Sequence, residues 1–286
     1  MRLATIVHEG REQAAFLTDR GLIPLVWVNE QEGADWETDL YGLLQKNQLK
    51  KLLGWYTGGG ENLFTHLPAL GLTQVSYRAL YRKPGKIMGI GMNYLAKAIE
   101  ISGRPPEDEP VIFLKPDTSL IGPGEYIRLP KSAGQITAEA ELGIVIGQTC
   151  KEISEDEALS VIAGITTTLD MTAKDIHAQN PRFMQRAKSF DTFFSLGASL
   201  STIDEYASLS ELEVETVLNG EVAHNSTVSR MIFSPAYLIS FLSHVMTLHP
   251  GDVILTGTPG SVVIKQGDKV ECRITGLKTL INSVEV

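Results

Sequence analysis

The sequence predicts an α+β fold in which β-strands predominate. Short apolar segments bounded by Gly, Pro, Asn or Asp recur along most of the chain, which is typical of strands joined by turns. Between residues 136 and 147, apolar and polar side chains alternate as they do in a half-buried strand. Asn219-Gly220 lies between two such segments and is a strong hairpin signal. A few longer segments that follow capping residues predict helices.

The composition is that of an ordinary globular protein. The 286 residues are 43% hydrophobic and 21% charged, enough for one large domain or two modest ones. A net charge of −9 without a Lys/Arg cluster argues against a nucleic-acid partner. Cys150 and Cys272 are too few for a disulfide framework or a thiolate metal site. The chain has no apolar run of about 18 residues and its start lacks a signal-peptide core, so we expect a cytoplasmic protein with no membrane partner.

Residues 1–72 predict a small N-terminal β/α domain. The segments RLATIVH, AAFLTD and GLIPLVWVN indicate three strands separated by turn residues. Asp39 is placed to cap a helix, LYGLLQKNQLKKLLGWY, that ends at three consecutive glycines. Because no group of polar residues here suggests chemistry, we expect a structural role.

The next segments predict a strand, KIMGIG, a helix, LAKAIEI, and a second strand, VIFLKP. Gly89 and Gly91 do not form a dinucleotide-binding loop, because Tyr94 stands where that motif needs its third glycine. The second strand ends at Lys115. A β-rich stretch then leads to residue 136.

Two carboxylates share one face of the strand that follows. Ile136, Ala138 and the other even-numbered residues to Ile146 form an apolar row, whereas Glu139 and Glu141 point to the opposite face. Neighbouring like charges repel unless a positive charge lies between them, and a divalent cation would satisfy that need. The alternative is that both glutamates face water, as most glutamates do.

A third carboxylate is predicted at a strand end. The segment GITTTLD indicates a strand that ends at Asp170, and Thr172 with Asp175 forms a capping-box pattern for the helix TAKDIHAQ. In the alternative role, Asp170 would only add to the capping of that helix. Beyond the hairpin at residues 219–220, SPAYLISFLSHVM predicts a helix and GDVILTGTPG a strand that opens into a tight turn.

Four segments together resemble the fumarylacetoacetate hydrolase (FAH) family. They are GIGMNY, AEAELGIVIG, LDMTAKD with AKSFDTF, and the long segment from LNGEVAHNSTVSRM to ILTGTPG. Their order and spacing match the family from about residue 80 to the C-terminus. The resemblance implies an FAH-type mixed β-roll or β-sandwich-like catalytic domain over residues 80–286, preceded by the small N-terminal domain. It also implies a homodimer.

The resemblance implies a metal site and a substrate site. Glu139, Glu141 and Asp170 match the residues that hold Mg²⁺ or Mn²⁺ in the family, and three carboxylates suit such hard cations. Lys188 matches a family lysine with a catalytic role, and Lys115 matches one that binds substrate. In the alternative, each is a solvated surface residue, as most lysines are. A threonine hydroxyl and backbone N–H groups of the family's TGTPG turn hold the substrate carboxylate. The matching residues here are Thr256, Gly257 and Thr258.

The chain departs from the family where a base is expected. Lys97 occupies the position of a histidine that activates water together with a glutamate, which is Glu100 here. A protonated lysine cannot accept a proton. Lys97 and Glu100 therefore form either an altered catalytic pair or an exposed ion pair that contributes little to stability. Lys174 and His177 replace a family arginine and glutamine. They are either substrate-binding residues near the metal or surface residues of a helix.

The implied function is a divalent-metal-dependent enzyme that cleaves a C–C bond in a small 2-oxo or 2,4-dioxo carboxylate. The reaction would be acylpyruvate hydrolysis or oxaloacetate-type decarboxylation through a metal-stabilised enolate. The altered base makes decarboxylation or keto–enol isomerisation more plausible than hydrolysis. One alternative is a 2-hydroxyhepta-2,4-diene-1,7-dioate isomerase/decarboxylase-like enzyme of aromatic catabolism. Another is a weakly active scaffold that binds a metal and a small anion.

Overall fold

The computed structural model describes residues 1–104, 106 and 109–286, without the side chains of residues 100–102. The strands of this part of the chain are β1 (Arg2–His8), β2 (Arg11–Thr18), β3 (Gly21–Pro24), β4 (Ser76–Tyr77), β5 (Ile87–Gly91), β6 (Val111–Lys115), β7 (Leu120–Ile121), β8 (Tyr126–Arg128), β9 (Ile136–Ile146), β10 (Ile162–Ala173), β11 (Phe194–Leu196), β12 (Ser199–Ser201), β13 (Glu213–Leu218), β14 (Glu221–Thr227), β15 (Val253–Leu255), β16 (Ser261–Ile264), β17 (Lys269–Ile274) and β18 (Leu280–Glu285). The helices are α1 (Leu25–Glu32), α2 (Leu40–Gln45), α3 (Leu49–Thr57), α4 (Leu95–Ser102), α5 (Glu155–Ala158), α6 (Lys174–Gln179), α7 (Met184–Lys188) and α8 (Pro235–Val245). The predicted α+β class with a majority of strands is confirmed.

The strands form one large and one small sheet. The large sheet runs in the order β3-β2-β1-β12-β10-β9-β15-β5-β6, with β4, β7, β11 and β16 attached beside this path. Its centre is the antiparallel pair β9 and β10. The pairing extends from Ile136 opposite Ala173 at one end to Ile146 opposite Ile162 at the other. The small sheet runs in the order β14-β13-β17-β18-β8. None of the described helices combines the length and apolar character needed to cross a bilayer.

The predicted apolar face of β9 forms the floor of the main core. Its even-numbered residues from Ile136 to Ile146 are buried, together with Val214 and Cys272 of the small sheet and Leu238 of α8. The small sheet and α8 therefore cover this face. The opposite face of β9 is left to carry the glutamates.

The first 72 residues extend the large sheet. Strand β1 pairs with β12 and β2, and β2 pairs with β3. A second core joins Phe16 and Leu43 to Val145 of β9 and Ala163 of β10. The domain boundary between residues 72 and 80 stays a prediction.

Two expectations for the opening residues are wrong. The predicted third strand stops at Pro24, which precedes the first residue of α1, because proline lacks the N–H that a further hydrogen bond of the sheet would need. The predicted single helix is divided into α2 and α3 at Asn47, whose φ of 53° is left-handed. The predicted cap is confirmed, since the Gly42 N–H donates to Asp39 Oδ1 at 2.8 Å.

The predicted end of the strand at Asp170 is also wrong. Strand β10 continues to Ala173 because it stays paired with β9 over its whole length. Thr172 is therefore a strand residue whose hydroxyl contacts Glu139 Oε2 at 3.3 Å, and it does not cap α6. The predicted hairpin is confirmed between β13 and β14, with φ of 53° at Asn219 and 87° at Gly220.

Candidate metal and substrate site

The register of β9 and β10 brings the three carboxylates together. Asp170 is directly opposite Glu139, so both side chains leave the same face of the sheet, and Glu141 lies two residues along β9 on that face. One oxygen from each of the three lies within 4.8 Å of the others. Asp170 and Glu141 are buried, and Glu139 is partly exposed. The backbone hydrogen bonds of the sheet therefore hold three negative charges close together.

The chemistry of this group fits a hard divalent cation. It offers oxygen donors only, which suits Mg²⁺ or Mn²⁺ better than zinc or copper. Burial raises the pKa of Glu141 well above its ordinary value, and the neighbouring charges of Asp170 and Glu139 raise it further. A cation bound among the three oxygens would offset that repulsion. The assignment of Glu139, Glu141 and Asp170 as metal ligands stays a prediction.

Two buried lysines contact the carboxylates. Lys115, the last residue of β6, places Nζ 2.5 Å from Asp170 Oδ1 and 3.2 Å from the Met171 carbonyl oxygen. Lys188, the last residue of α7, contacts Asp170 Oδ2 and lies 2.9 Å from Glu139 Oε2. The positive charge that the sequence led us to expect beside the carboxylates is thus supplied by these two side chains.

The two ammonium groups differ in how firmly they hold their protons. Burial alone would lower the pKa of Lys188, but the charges of Asp170, Glu139 and Glu141 outweigh it and raise that pKa. Burial lowers the pKa of Lys115 to about 8; Asp170 opposes the change and Lys188 adds to it. Lys188 is therefore the more firmly protonated of the pair.

The turn at residues 256–258 meets the cluster through its backbone. The Gly257 N–H donates to Glu141 Oε2 at 2.6 Å. Gly257 has a φ of 97°, and a β-carbon there would lie only 2.8 Å from Asn93 Cβ, so glycine is required for both reasons. The hydroxyls of Thr256 and Thr258 donate to the carbonyl oxygens of Leu142 and Gly260, both at 2.9 Å. A substrate-binding role for these three residues stays a prediction.

Lys97 is buried beside the cluster. It is only 7% exposed, and its Nζ lies 3.2 Å from Ser261 Oγ. Ser261 begins β16 and lies opposite Glu139 on the other side of β9 from Asp170, so its side chain shares their face of the sheet. The buried position does not fit the alternative of an exposed ion pair. The side chain of Glu100 lies outside the described residues.

The other two predicted residues lie on α6. Lys174 is exposed at the first position of the helix, and within the described part of the chain it has no hydrogen bond to the cluster. His177 is half-buried one turn later. Burial lowers the pKa of His177, the Lys188 charge lowers it further, and Glu139 opposes the change. His177 is thus within electrostatic reach of the site, whereas Lys174 points to solvent.

Asn93 is a residue of the site that the sequence reasoning missed. Its side-chain amide donates to the Thr256 carbonyl oxygen at 2.8 Å and to the Phe233 carbonyl oxygen at 3.1 Å, and it accepts from the Phe233 N–H at 2.9 Å. It therefore fixes the loop before α4 to the turn that contacts Glu141. No local pattern in the sequence points to a contact across about 160 residues.

The chain is similar to known proteins over most of its length. The fumarylacetoacetate (FAA) hydrolase C-terminal domain matches residues 86–285. The mitochondrial oxaloacetate tautomerase FAHD2A of Bos taurus is 37% identical over 231 residues, covering 78% of this chain and 73% of that protein.

Solved structures share the fold over nearly the whole chain, including the following two. The crystal structure of 5-carboxymethyl-2-hydroxymuconate delta-isomerase from Mycobacterium smegmatis has a TM-score of 0.76 at 32% identity, covering 99% of this chain and 98% of that one. Maleylpyruvate hydrolase from Sphingobium sp. SYK-6, in complex with manganese(II) and pyruvate, has a TM-score of 0.80 at 25% identity, covering 99% and 98%. The family match extends over the strands that carry the three carboxylates, and the chain belongs to the fumarylacetoacetate hydrolase family.

Proposed function

We propose that this protein is a divalent-metal-dependent enzyme that interconverts the keto and enol forms of a small 2-oxo carboxylate, with oxaloacetate as the leading substrate. The observation that carries the proposal is the meeting of three carboxylates and two buried lysines on one face of the β9–β10 pair. The 37% identity to a protein named oxaloacetate tautomerase supports the choice of reaction. The manganese and pyruvate in the maleylpyruvate hydrolase structure support the ligand class.

The formal charges of the cluster suit an anionic substrate. Three carboxylates and two ammonium groups sum to −1, and a divalent cation would change this to +1. When bound, such a cation supplies a Lewis acid that stabilises negative charge on the substrate oxygens. Lys115 and Lys188 hold Asp170 and Glu139 in place and keep the site from becoming too negative to accept a carboxylate.

The lysine in the histidine position favours tautomerisation over hydrolysis. Hydrolysis needs a base that activates water, and a protonated lysine cannot be that base. Conversion of an enol to a ketone adds a proton at carbon and releases the enol hydroxyl proton; a protonated lysine can deliver the first, and the neutral amine it leaves can take up the second. Lys97 Nζ lies next to Ser261, at the edge of the carboxylate cluster, and is well placed for this task.

A second candidate function is C–C bond cleavage, as the sequence analysis expected. The likeness to maleylpyruvate hydrolase favours it. Cleavage and tautomerisation both pass through an enolate, so one site could serve either reaction. The likeness to the Mycobacterium smegmatis isomerase similarly favours isomerisation of a longer dioic acid. A weakly active metal-binding scaffold remains the alternative from another class.

The deciding experiment follows freshly dissolved oxaloacetate enol by its ultraviolet absorbance, with Mg²⁺ or Mn²⁺ and with a chelator. We expect the metal-loaded enzyme to accelerate loss of the enol without producing pyruvate at the same rate. Glu141→Gln should abolish the acceleration, and Glu221→Gln, at an exposed position of β14, should not. Pyruvate release as fast as enol loss, or hydrolysis of acylpyruvates alone, would replace the proposal by C–C cleavage. No turnover of either substrate would favour the weakly active metal-binding scaffold.

A further inference from the structure

The aromatic ring of Phe113 lies against both site lysines. Phe113 and Lys115 are two residues apart on β6 and so share a face of that strand. Lys188 Nζ lies over the ring, 4.6 Å from its centroid, and Lys115 Nζ is 5.9 Å from the same point. Both distances are within the range of a cation–π interaction. The ring is 5% exposed, so the contact is shielded from water.

A recess at Gly89 makes this position of the ring possible. Gly89 on β5 is directly opposite Phe113 on β6. A β-carbon at residue 89 would overlap the Phe113 ring, with ring carbons as its three nearest atoms. Gly89 is one of the two glycines that did not fit a dinucleotide-binding motif. The structure gives it a packing role, because only glycine leaves room for the Phe113 ring at this position.

The helix that carries Lys188 is fastened to the strand that carries Phe113. Gln185, one turn earlier on α7, donates from Nε2 to the Leu114 carbonyl oxygen at 2.7 Å and accepts from the Leu114 N–H at 3.3 Å. Leu114 lies between Phe113 and Lys115. These two hydrogen bonds therefore fix the distance between α7, which carries Lys188, and β6, which carries Phe113.

We propose that Phe113, seated in the recess at Gly89, is a positioning residue that orients the Lys188 ammonium group toward Asp170 and Glu139. Lys188 directs two of its three N–H donors to those carboxylates, and the face of the ring receives the remaining positive edge. The long lysine side chain has many rotamers, and the ring restricts it to those that reach the cluster. The kinetic part of this inference rests on the proposed function; the structural part does not.

The test uses nuclear magnetic resonance on the full-length protein with metal removed by a chelator. Protons above an aromatic ring are shifted upfield, so the Lys188 ammonium signal, assigned by its loss in Lys188→Met, should be shifted in the wild type. We expect Phe113→Tyr to keep the shift and Phe113→Leu to lose it. Gly89→Ala should also lose it, because its β-carbon displaces the ring without removing it.

The kinetic measurement separates positioning from general packing. With metal and oxaloacetate, we expect Phe113→Leu to lower kcat about tenfold, the size of a desolvated cation–π contact, with little change in the metal dissociation constant. Phe113→Tyr should stay within about twofold of the wild type, since it keeps the aromatic face. An unshifted Lys188 signal in the wild type, or equal losses of kcat in Phe113→Tyr and Phe113→Leu, would overturn the proposal. If Phe113→Leu does not fold, Gly89→Ala and Phe113→Tyr make the same comparison. Failure of the protein to act on oxaloacetate would refute the proposed function while the spectrum still decides this inference.

Discussion

Asp170 and Glu141 lie on the same face of the sheet but have opposite electrostatic surroundings. Asp170 contacts two ammonium groups, those of Lys115 and Lys188. Glu141 accepts a hydrogen bond from the Gly257 N–H, but burial and the charges of Asp170 and Glu139 raise its pKa more than Lys188 and that hydrogen bond lower it. Removing the charge of each residue should therefore change the stability of the metal-free protein in opposite directions.

Asp170→Asn should destabilise the metal-free protein by about 3 kcal/mol, because it removes the carboxylate that pairs with buried Lys115 and leaves Lys188 with Glu139 alone. Urea unfolding in the presence of a chelator measures the difference. Asp191→Asn, at an exposed position, should stay within about 0.5 kcal/mol of the wild type. An unchanged midpoint for Asp170→Asn would mean that the lysines are satisfied by other groups.

Glu141→Gln should stabilise the metal-free protein by about 1 kcal/mol near neutral pH, because it removes a buried charge that its neighbours oppose. The folded-state pKa of Glu141 is raised, so a protonated Glu141 stabilises the folded wild type at low pH. This stabilisation begins to be lost as the pH rises above 4.5, the ordinary value, and is gone above the raised pKa. The gain from Glu141→Gln should therefore grow with pH in unfolding measurements. With a divalent cation present the order should reverse, since the wild type alone binds it tightly. A gain that shrinks as the pH rises would contradict this account.

Lys97→His tests whether the missing base limits hydrolysis. A histidine can accept a proton near neutral pH, so we expect measurable hydrolysis of acylpyruvates to appear and enol loss from oxaloacetate to fall. Pyruvate release, coupled to a dehydrogenase, measures the first, and ultraviolet absorbance the second. Lys97→Met, which has a similar length and no charge, is the control and should support neither activity. No hydrolysis by the histidine variant would mean that other groups of the site also differ from the hydrolases.

Much of this residue-level picture could be predicted, and the limits have physical reasons. The alternation along β9 identified the face of Glu139 and Glu141, because a strand's period of two is a local property. The contacts of Lys115 and Lys188 followed only from resemblance, since neither lysine is close in sequence to all three carboxylates. Phe113 carried a readable signal, namely its position two residues before Lys115. Its role nonetheless depends on Gly89, which only the pairing of β5 with β6 reveals.

At the scale of elements, the decisive information is the register of the strands. The sequence placed Asp170 at a strand end, because the pattern of Thr172 and Asp175 looked like a helix start. Pairing of β10 with β9 as far as Ala173 and Ile136 outweighed that local preference. The same register sets Asp170 opposite Glu139, and the register of β16 sets Ser261 beside Glu139. Pairing between distant strands cannot be read from one strand alone.

Asn93 connects three elements around the site. Its amide makes hydrogen bonds to Thr256 and Phe233, and it is 1% exposed. Asn93→Ala would leave buried backbone groups unsatisfied, and we expect a loss of about 3 kcal/mol in unfolding free energy. Thermal and urea unfolding measure it. Asn225→Ala removes one hydrogen bond at an exposed position and should cost less than about 0.5 kcal/mol. Equal losses in the two variants would refute the bridging role.

At the scale of the whole molecule, the homodimer stays a prediction. Its basis is the resemblance to the family. Light scattering of the purified protein should give about twice the chain mass of 31.2 kDa. A mass equal to that of one chain at micromolar concentration would contradict it. A cytoplasmic location likewise stays a prediction.

The pairing of β1 with β12 has a consequence for how the protein is made. Arg2 of β1 is paired in register with Ser201 of β12, so β1 cannot pair with this neighbour until the ribosome has synthesised the long stretch of chain between them. Bringing such distant segments together costs chain entropy and slows folding. Until then, the edge of β1 that pairs with β12 has unpaired backbone N–H and C=O groups. A chaperone that covers this edge during synthesis would reduce aggregation.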